Sequence, residues 1–211
     1  MACLTKALGW SPMRLEQYKL ILISVGLISA LLIASPTISG LISFPEGERF
    51  SELYLLGPGR MAQGYPNNII PNQDYTVYFD VVNHVGSSAY YLVQIKFLSS
   101  SDALPDITSG IASPAKPLYE RRFLIADEHT FEGKLTFAIS NTAVSNNQLS
   151  IGNLQVNGED ISINKVAPWN STTSEYQYKL LFELSIYNSQ SDAAEFNSRF
   201  VYLQLNCSGT T

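Results

Sequence analysis

Histidine and cysteine are nearly missing from this chain. The 211 residues hold two of each, His84, His129, Cys3 and Cys207. A zinc or hydrolytic centre needs several converging ligands from these types or from carboxylates, and neither cysteine stands in a metal-ligand spacing. A disulfide framework is excluded as well. Cys3 precedes a long apolar run and Cys207 nearly ends the chain, so the two lie on opposite sides if that run crosses a membrane. Asp80 comes four residues before His84, but four residues of strand span about 13 Å. His84 therefore reads as a turn histidine bonded to nearby backbone. His129, beside Asp127 and Glu128, reads as part of a solvated turn. Gly-x-Ser-x-Gly, phosphate-loop and His-Glu-x-x-His patterns are absent. Glu46, Glu48 and Glu52 offer paired carboxylates for glycoside chemistry, yet they follow the apolar run directly and read as solvated charge. The expectation is a non-enzyme, with no catalytic residue, no cofactor and no metal.

Charge is scarce too, at 15% of residues, and none at all falls in residues 20–44, LILISVGLISALLIASPTISGLISF. As a helix this stretch is roughly 37 Å long, against a hydrocarbon core of roughly 30 Å, so it can cross with some tilt. Arg14 and Lys19 flank one end, Glu46 and Glu48 the other. The positive-inside rule then places residues 1–19 in the cytoplasm and residues 45–211 outside. Trp10, Tyr18 and Phe44 fall near the expected interfaces. The expected organisation is a short cytoplasmic N-terminus (1–19), a transmembrane helix acting as signal anchor (20–44) and an extracytoplasmic domain (45–211). A cleaved signal peptide is the competing reading, because 20–34 has signal length and Ser35-Pro36-Thr37-Ile38-Ser39-Gly40 supplies small residues. The retained anchor is preferred, since hydrophobicity resumes at Leu41, Ile42 and Phe44. A filament subunit is a third reading, disfavoured because no processing site precedes Leu20.

Positive charge is short in the outer part. Residues 45–211 carry ten Lys and Arg against 17 Asp and Glu, a net of −7, a poor electrostatic match for nucleic acid, which is not expected as a partner. An acidic domain is also repelled by anionic lipid heads.

Beyond residue 45 no segment keeps a helical period, and alternation takes its place. In 75–83, Tyr75, Val77, Phe79 and Val81 share one face. In 90–98, Tyr91, Val93, Ile95 and Phe97 point one way, with Gln94 and Lys96 the other. In 130–140, Phe131, Leu135, Phe137 and Ile139 oppose Thr130, Glu132, Lys134 and Thr136. In 176–187, Tyr176, Tyr178, Leu180, Phe182, Leu184 and Ile186 oppose Gln177, Lys179, Glu183 and Ser185. Weaker strands are expected at 50–56, 119–125, 150–156, 160–165 and 199–206. Asn157-Gly158 predicts a tight hairpin turn. Stretches 57–73, 99–117, 141–149 and 166–175 read as loops. The fold class expected is all-β, a two-sheet β-sandwich of immunoglobulin or fibronectin-III type with Greek-key connections.

Residues 50–86, FSELYLLGPGRMAQGYPNNIIPNQDYTVYFDVVNHVG, carry a more specific pattern. A strand ends in Leu56-Gly57-Pro58, a turn with Gly64 leads to Tyr65-Pro66, and the next strand closes on Asn83-His84. This resembles the C-terminal extracytoplasmic domain of an archaeal membrane-protein family known as domain of unknown function 1616. The 180–187 and 200–205 strands are also similar. Two features depart from the family. Several membrane helices often precede the domain there, and an acidic residue often follows Asn-His, where Val85 stands here. The resemblance implies an archaeal cell-surface setting, and it implies no activity.

The function expected is thus a non-enzymatic accessory subunit, anchored in the bilayer through 20–44, that docks to other membrane or cell-surface proteins. Gly57, Pro58, Gly64, Tyr65, Pro66, Asn83, His84 and Trp169 are its candidate interaction residues. A glycan-binding module with Tyr65 and Trp169 as stacking platform is the alternative, and a cell-envelope glycosidase a third. Asn170-Ser171-Thr172 and Asn206-Cys207-Ser208 fit the N-glycosylation pattern.

Overall fold

A computed structural model describes residues 15–41 and 48–208 and, within the first stretch, the side chains of 18–33. Cys3, Trp10, Arg14, Phe44 and Glu46 lie outside the described residues, as does most of the expected cytoplasmic stretch. The chain divides into two compact units, Met1–Gly47 and Glu48–Thr211.

The first unit contains helix α1, Leu15–Leu41. Its described side chains are all exposed, the large apolar ones ranging from Tyr18 (41%) to Leu20 (78%). Ser24 returns its hydroxyl to the Leu20 carbonyl at 2.8 Å, which satisfies that polar group within the helix. Among the described residues, whose side chains in α1 run only from 18 to 33, no helix is long and apolar enough to cross a membrane.

The second unit is built of β1 (Phe50–Leu56), β2 (Tyr75–His84), β3 (Ala89–Ser99), β4 (Tyr119–Ile125), β5 (Thr130–Ser145), β6 (Gln148–Val156), β7 (Glu159–Asn170), β8 (Glu175–Asn188) and β9 (Ala193–Cys207). Each expected strand is present. Two expected loops are shorter than the sequence suggests. Stretch 141–149 is mostly strand, because Asn146 and Asn147, both at positive φ (51° and 57°), close a two-residue turn between β5 and β6. Stretch 166–175 is strand as far as Asn170, so Trp169 and Asn170 sit in β7 rather than in a loop.

The sequence predicts two separate stacked sheets. The strands instead form one antiparallel sheet in the order β1-β2-β5-β6-β7-β8-β3-β4, with β9 also on β8. The link is β7, which pairs with β6 along most of its length and then contributes Trp169 and Asn170 to Tyr176 and Glu175 of β8. A strand long enough to serve both neighbours keeps the hydrogen bonding continuous where a loop would have broken it.

Inner positions of both halves are buried: Val77, Phe79, Val81, Leu135, Phe137 and Ile139 on one side, Tyr91, Val93, Ile95, Phe97, Tyr178, Leu180 and Phe182 on the other. Phe79 meets Phe182 at 5.6 Å between ring centroids, Phe123 stacks on Phe131 at 3.8 Å, and the Tyr178 hydroxyl donates to the Leu149 carbonyl at 2.5 Å. Burial of apolar rings supplies the main stabilisation, and the tyrosine hydroxyl, placed among them, is satisfied on backbone.

Candidate functional site

The residues singled out in the 50–86 pattern separate to the two ends of the β1–β2 ladder. Its register runs from Phe50 opposite His84 to Leu56 opposite Tyr78, about 20 Å of strand. At the Leu56 end the chain turns tightly. The Gly57 amide donates to the Met61 carbonyl at 2.8 Å and the Arg60 amide to the Gly57 carbonyl at 2.9 Å. A Cβ on Gly57 would lie 2.1 Å from the Gln63 carbonyl oxygen, so the turn demands glycine at this point. Gly64 follows at φ 69°. Tyr65 packs against the core and donates its hydroxyl to the Leu55 carbonyl at 2.8 Å, which pins the returning chain onto β1. Pro66 is half-buried and Pro58 exposed. The chain then bonds to β9, through Ile69 to Asn206 at 2.9 Å and Asn206 to Asn67 at 2.7 Å.

At the other end Asn83 is fully buried. Its amide nitrogen donates to the carbonyls of Ser87 (2.8 Å) and Ile125 (3.0 Å). Its Oδ1 accepts from the Val85 amide (3.1 Å) and the Tyr91 hydroxyl (3.0 Å), and that hydroxyl lies 2.8 Å from Ser51 Oγ. All four capacities of the carboxamide are used, and it locks β1, β2, β3 and the end of β4 together. His84, beside it, faces outward. Its Nδ1 is 2.9 Å from Glu128 Oε2, its Nε2 is 3.7 Å from Glu52 Oε1, and its ring lies 4.7 Å from that of Phe50. Two carboxylates and one imidazole converge here, yet among the described residues no group of three acidic, histidine or cysteine ligands is disposed to hold a metal.

Trp169 is 38% exposed and meets Tyr176 edge-on at 5.0 Å. Asn170 is half-buried, with its side chain bonded to Gln177 and to the Thr172 amide. Asn206 is half-buried in β9, and its Oδ1 is buried without a partner. Cys207 next to it is 2% exposed, and burial pushes its thiol up to about 12.

Two constellations escape a reading by alternation. Lys96 and Glu183 stand at outward positions, where the sequence expects solvent, but they are 3% and 1% exposed at the side chain and 2.5 Å apart. The connection between β3 and β4 covers them: Lys96 also donates to the Ser113 carbonyl at 2.8 Å, and the Ser113 amide donates to Glu183 Oε1 at 2.8 Å. Lys165 of β7 reaches the same connection at Asp102, 2.7 Å away. Burial works against the charged form of Asp102, and bonds from Lys165 and Ser99 more than offset it, so its carboxyl sits below the usual range. The second constellation lies on the outer face of β1, β2 and β5. Asp80 faces Tyr54 and Glu132 across the ladders and is 6% exposed, with Oδ1 unpartnered. Arg60 binds Glu132 at 2.6 Å and lies over the Tyr78 ring at 4.8 Å. Burial first, and Glu132 second, hold the Asp80 carboxyl above its ordinary range, with Arg60 opposing.

The geometry defines a mostly β domain on an antiparallel sheet, in which the patterned residues hold turns and strand ends in place. The family model of the domain of unknown function DUF1616 matches residues 45–151, just over half of the chain, and the chain belongs to that family. The match ends within β6, so β7, β8 and β9 lie beyond it. No curated protein matches the sequence. Among solved structures, the complex of zinc 2-glycoprotein with prolactin inducible protein from human seminal plasma contains a chain similar at 9% identity and a TM-score of 0.34, over 78% of this chain and 98% of that one.

Proposed function

We propose that the protein is a non-enzymatic interaction subunit of an archaeal cell surface, held in the cytoplasmic membrane by residues 20–44 and presenting its β domain outside. The observation that carries this reading is the stretch of 25 residues without a charge, joined to a domain with a net charge of −7. In the described part of that stretch, Leu20, Ile21, Leu22, Ile23, Leu27, Leu31 and Ile33 are each more than half exposed. A helix apolar around its circumference needs a non-aqueous surrounding, and lipid is the surrounding this reading assigns. The contact between Phe79 and Phe182 supports treating the two halves of the sheet as the layers of a sandwich. Such a body gains rigidity from its core and offers exposed loop and edge residues to a partner.

Purification of the native protein from membranes in mild detergent tests the reading. A stoichiometric membrane or surface-layer protein is expected to accompany it through size exclusion. A lone monomer extracted without detergent would overturn both the anchor and the accessory role.

A further inference from the structure

The seam between β4 and β5 leaves two strand edges unpaired beside a cavity, and what it would select deepens the interaction reading above, on which this inference rests. β5 pairs with β2 from Thr130 onward, whereas β6 joins its opposite edge only from Phe137. β4 pairs with β3 alone. Among the described residues no strand occupies either of these edges. The backbone of Thr136 is closed off by Asn157, which donates its amide to the Thr136 carbonyl at 2.8 Å and accepts the Thr136 amide on Oδ1 at 3.0 Å. Backbone groups alternate in direction along an antiparallel strand. Those of Glu132 and Lys134 therefore point the same way as those of Thr136, into the seam.

The two edges touch where Phe123 stacks on Phe131 and enclose a cavity of 210 Å³ lined by Phe79, Tyr119, Arg121, Phe131, Glu132, Gly133 and Lys134. Three of these residues, Phe79, Tyr119 and Phe131, are aromatic. Gly133 is needed there, since a Cβ would sit 2.3 Å from the Phe79 ring. The charge on its rim is unusual for so acidic a domain. Arg121 and Lys134 are exposed, and neither has an acidic partner among the described residues. The neighbouring carboxylates are taken: Glu132 by Arg60 at 2.6 Å, and Glu120 by Gln94 at 2.7 Å and Arg122 at 3.2 Å.

Unpaired cations on a sheet edge repel basic strands and disfavour neutral ones, which would desolvate them without compensation. A strand that brings its own carboxylate gains a charge-assisted bond in addition to the ladder. We propose that this seam binds an extended acidic segment of the partner protein, paired to the backbone of Glu132 and Lys134, with a carboxylate set between Arg121 and Lys134.

The test uses the full chain in detergent micelles, isotopically labelled, and two synthetic probes: acetyl-Thr-Val-Glu-Val-Thr-amide and its Gln counterpart. The Glu peptide is expected to shift the amides of Glu132 and Lys134, to weaken as salt rises, and to bind about tenfold more tightly than the Gln peptide. An Arg121→Gln, Lys134→Gln double variant, with its remaining resonances in place, is expected to lose that advantage. Equal binding of the two peptides, shifts confined to other strands, or no shift at millimolar peptide would each overturn the proposal. None of these outcomes alters the co-purification result, so failure of the seam and failure of the accessory role are told apart.

Discussion

Asn83 shows how much one side chain can hold. A carboxamide with both donors and both acceptors engaged inside the protein contributes less by its bonds than its removal costs, because each abandoned partner stays dry. Asn83→Ala is expected to destabilise the domain by about 2–4 kcal/mol in urea unfolding, whereas His84→Ala at the adjoining, partly exposed position is expected to cost well under half of that. Asp80 is the opposite case, a buried carboxylate with one oxygen unpartnered. Its carboxyl, raised above the usual 3.8 by burial and then by Glu132, holds its proton more tightly in the folded than in the unfolded chain. Its contribution to stability is therefore complete below the unfolded value and is lost as pH rises through the folded one. Asp80→Asn is expected to be more stable than the natural protein at neutral pH, with the difference shrinking as pH falls toward 3.8. Denaturation midpoints measured across that range check it, and a constant difference would refute the assignment.

At the scale of elements, the connection between β3 and β4 is a strap fastened by a buried ion pair. Breaking such a pair leaves an uncompensated charge and costs about 3–5 kcal/mol, while replacing both members is far milder. Glu183→Gln is expected to destabilise strongly and to expose residues 100–117 to limited proteolysis, and adding Lys96→Met is expected to recover part of the loss. Equal proteolysis of the single variant and the natural chain would mean the strap is held by something else. This is also where the sequence stops being legible. Alternation located each strand, since a pleated strand with one wet face writes its period directly in the residue types. The same logic assigns Lys96 and Glu183 to water, because nothing local announces that a distant Ser113 will cover them. The adjoining ends of β5 and β6 are hidden for a different reason: at the Asn146-Asn147 hairpin most side chains are exposed, so no apolar period marks the strand. Asn83 was visible as part of a pattern but not as a buried hub. The cations of the seam gave no signal, because edges are defined by strand order, and order is not written in alternation.

In the whole molecule, an apolar stretch and an acidic β domain share one chain, the first unit ending at Gly47 and the second beginning at Glu48. Thiol accessibility tests directly whether the proposed anchor puts the lipid bilayer between the N-terminus and the β domain. Cys207 is 2% exposed, and burial raises its thiol, so it is expected to stay unlabelled by maleimide in the folded chain, leaving Cys3 as the native reporter. An exposed thiol can be introduced on the body as Pro58→Cys in a Cys3→Ser background. Treated with a membrane-impermeant maleimide, intact cells are predicted to label the Pro58→Cys chain at once and Cys3 of the natural chain only after lysis. Labelling of Cys3 in intact cells, protection of Pro58→Cys until lysis, or a mature chain that has lost Cys3 altogether would contradict the account.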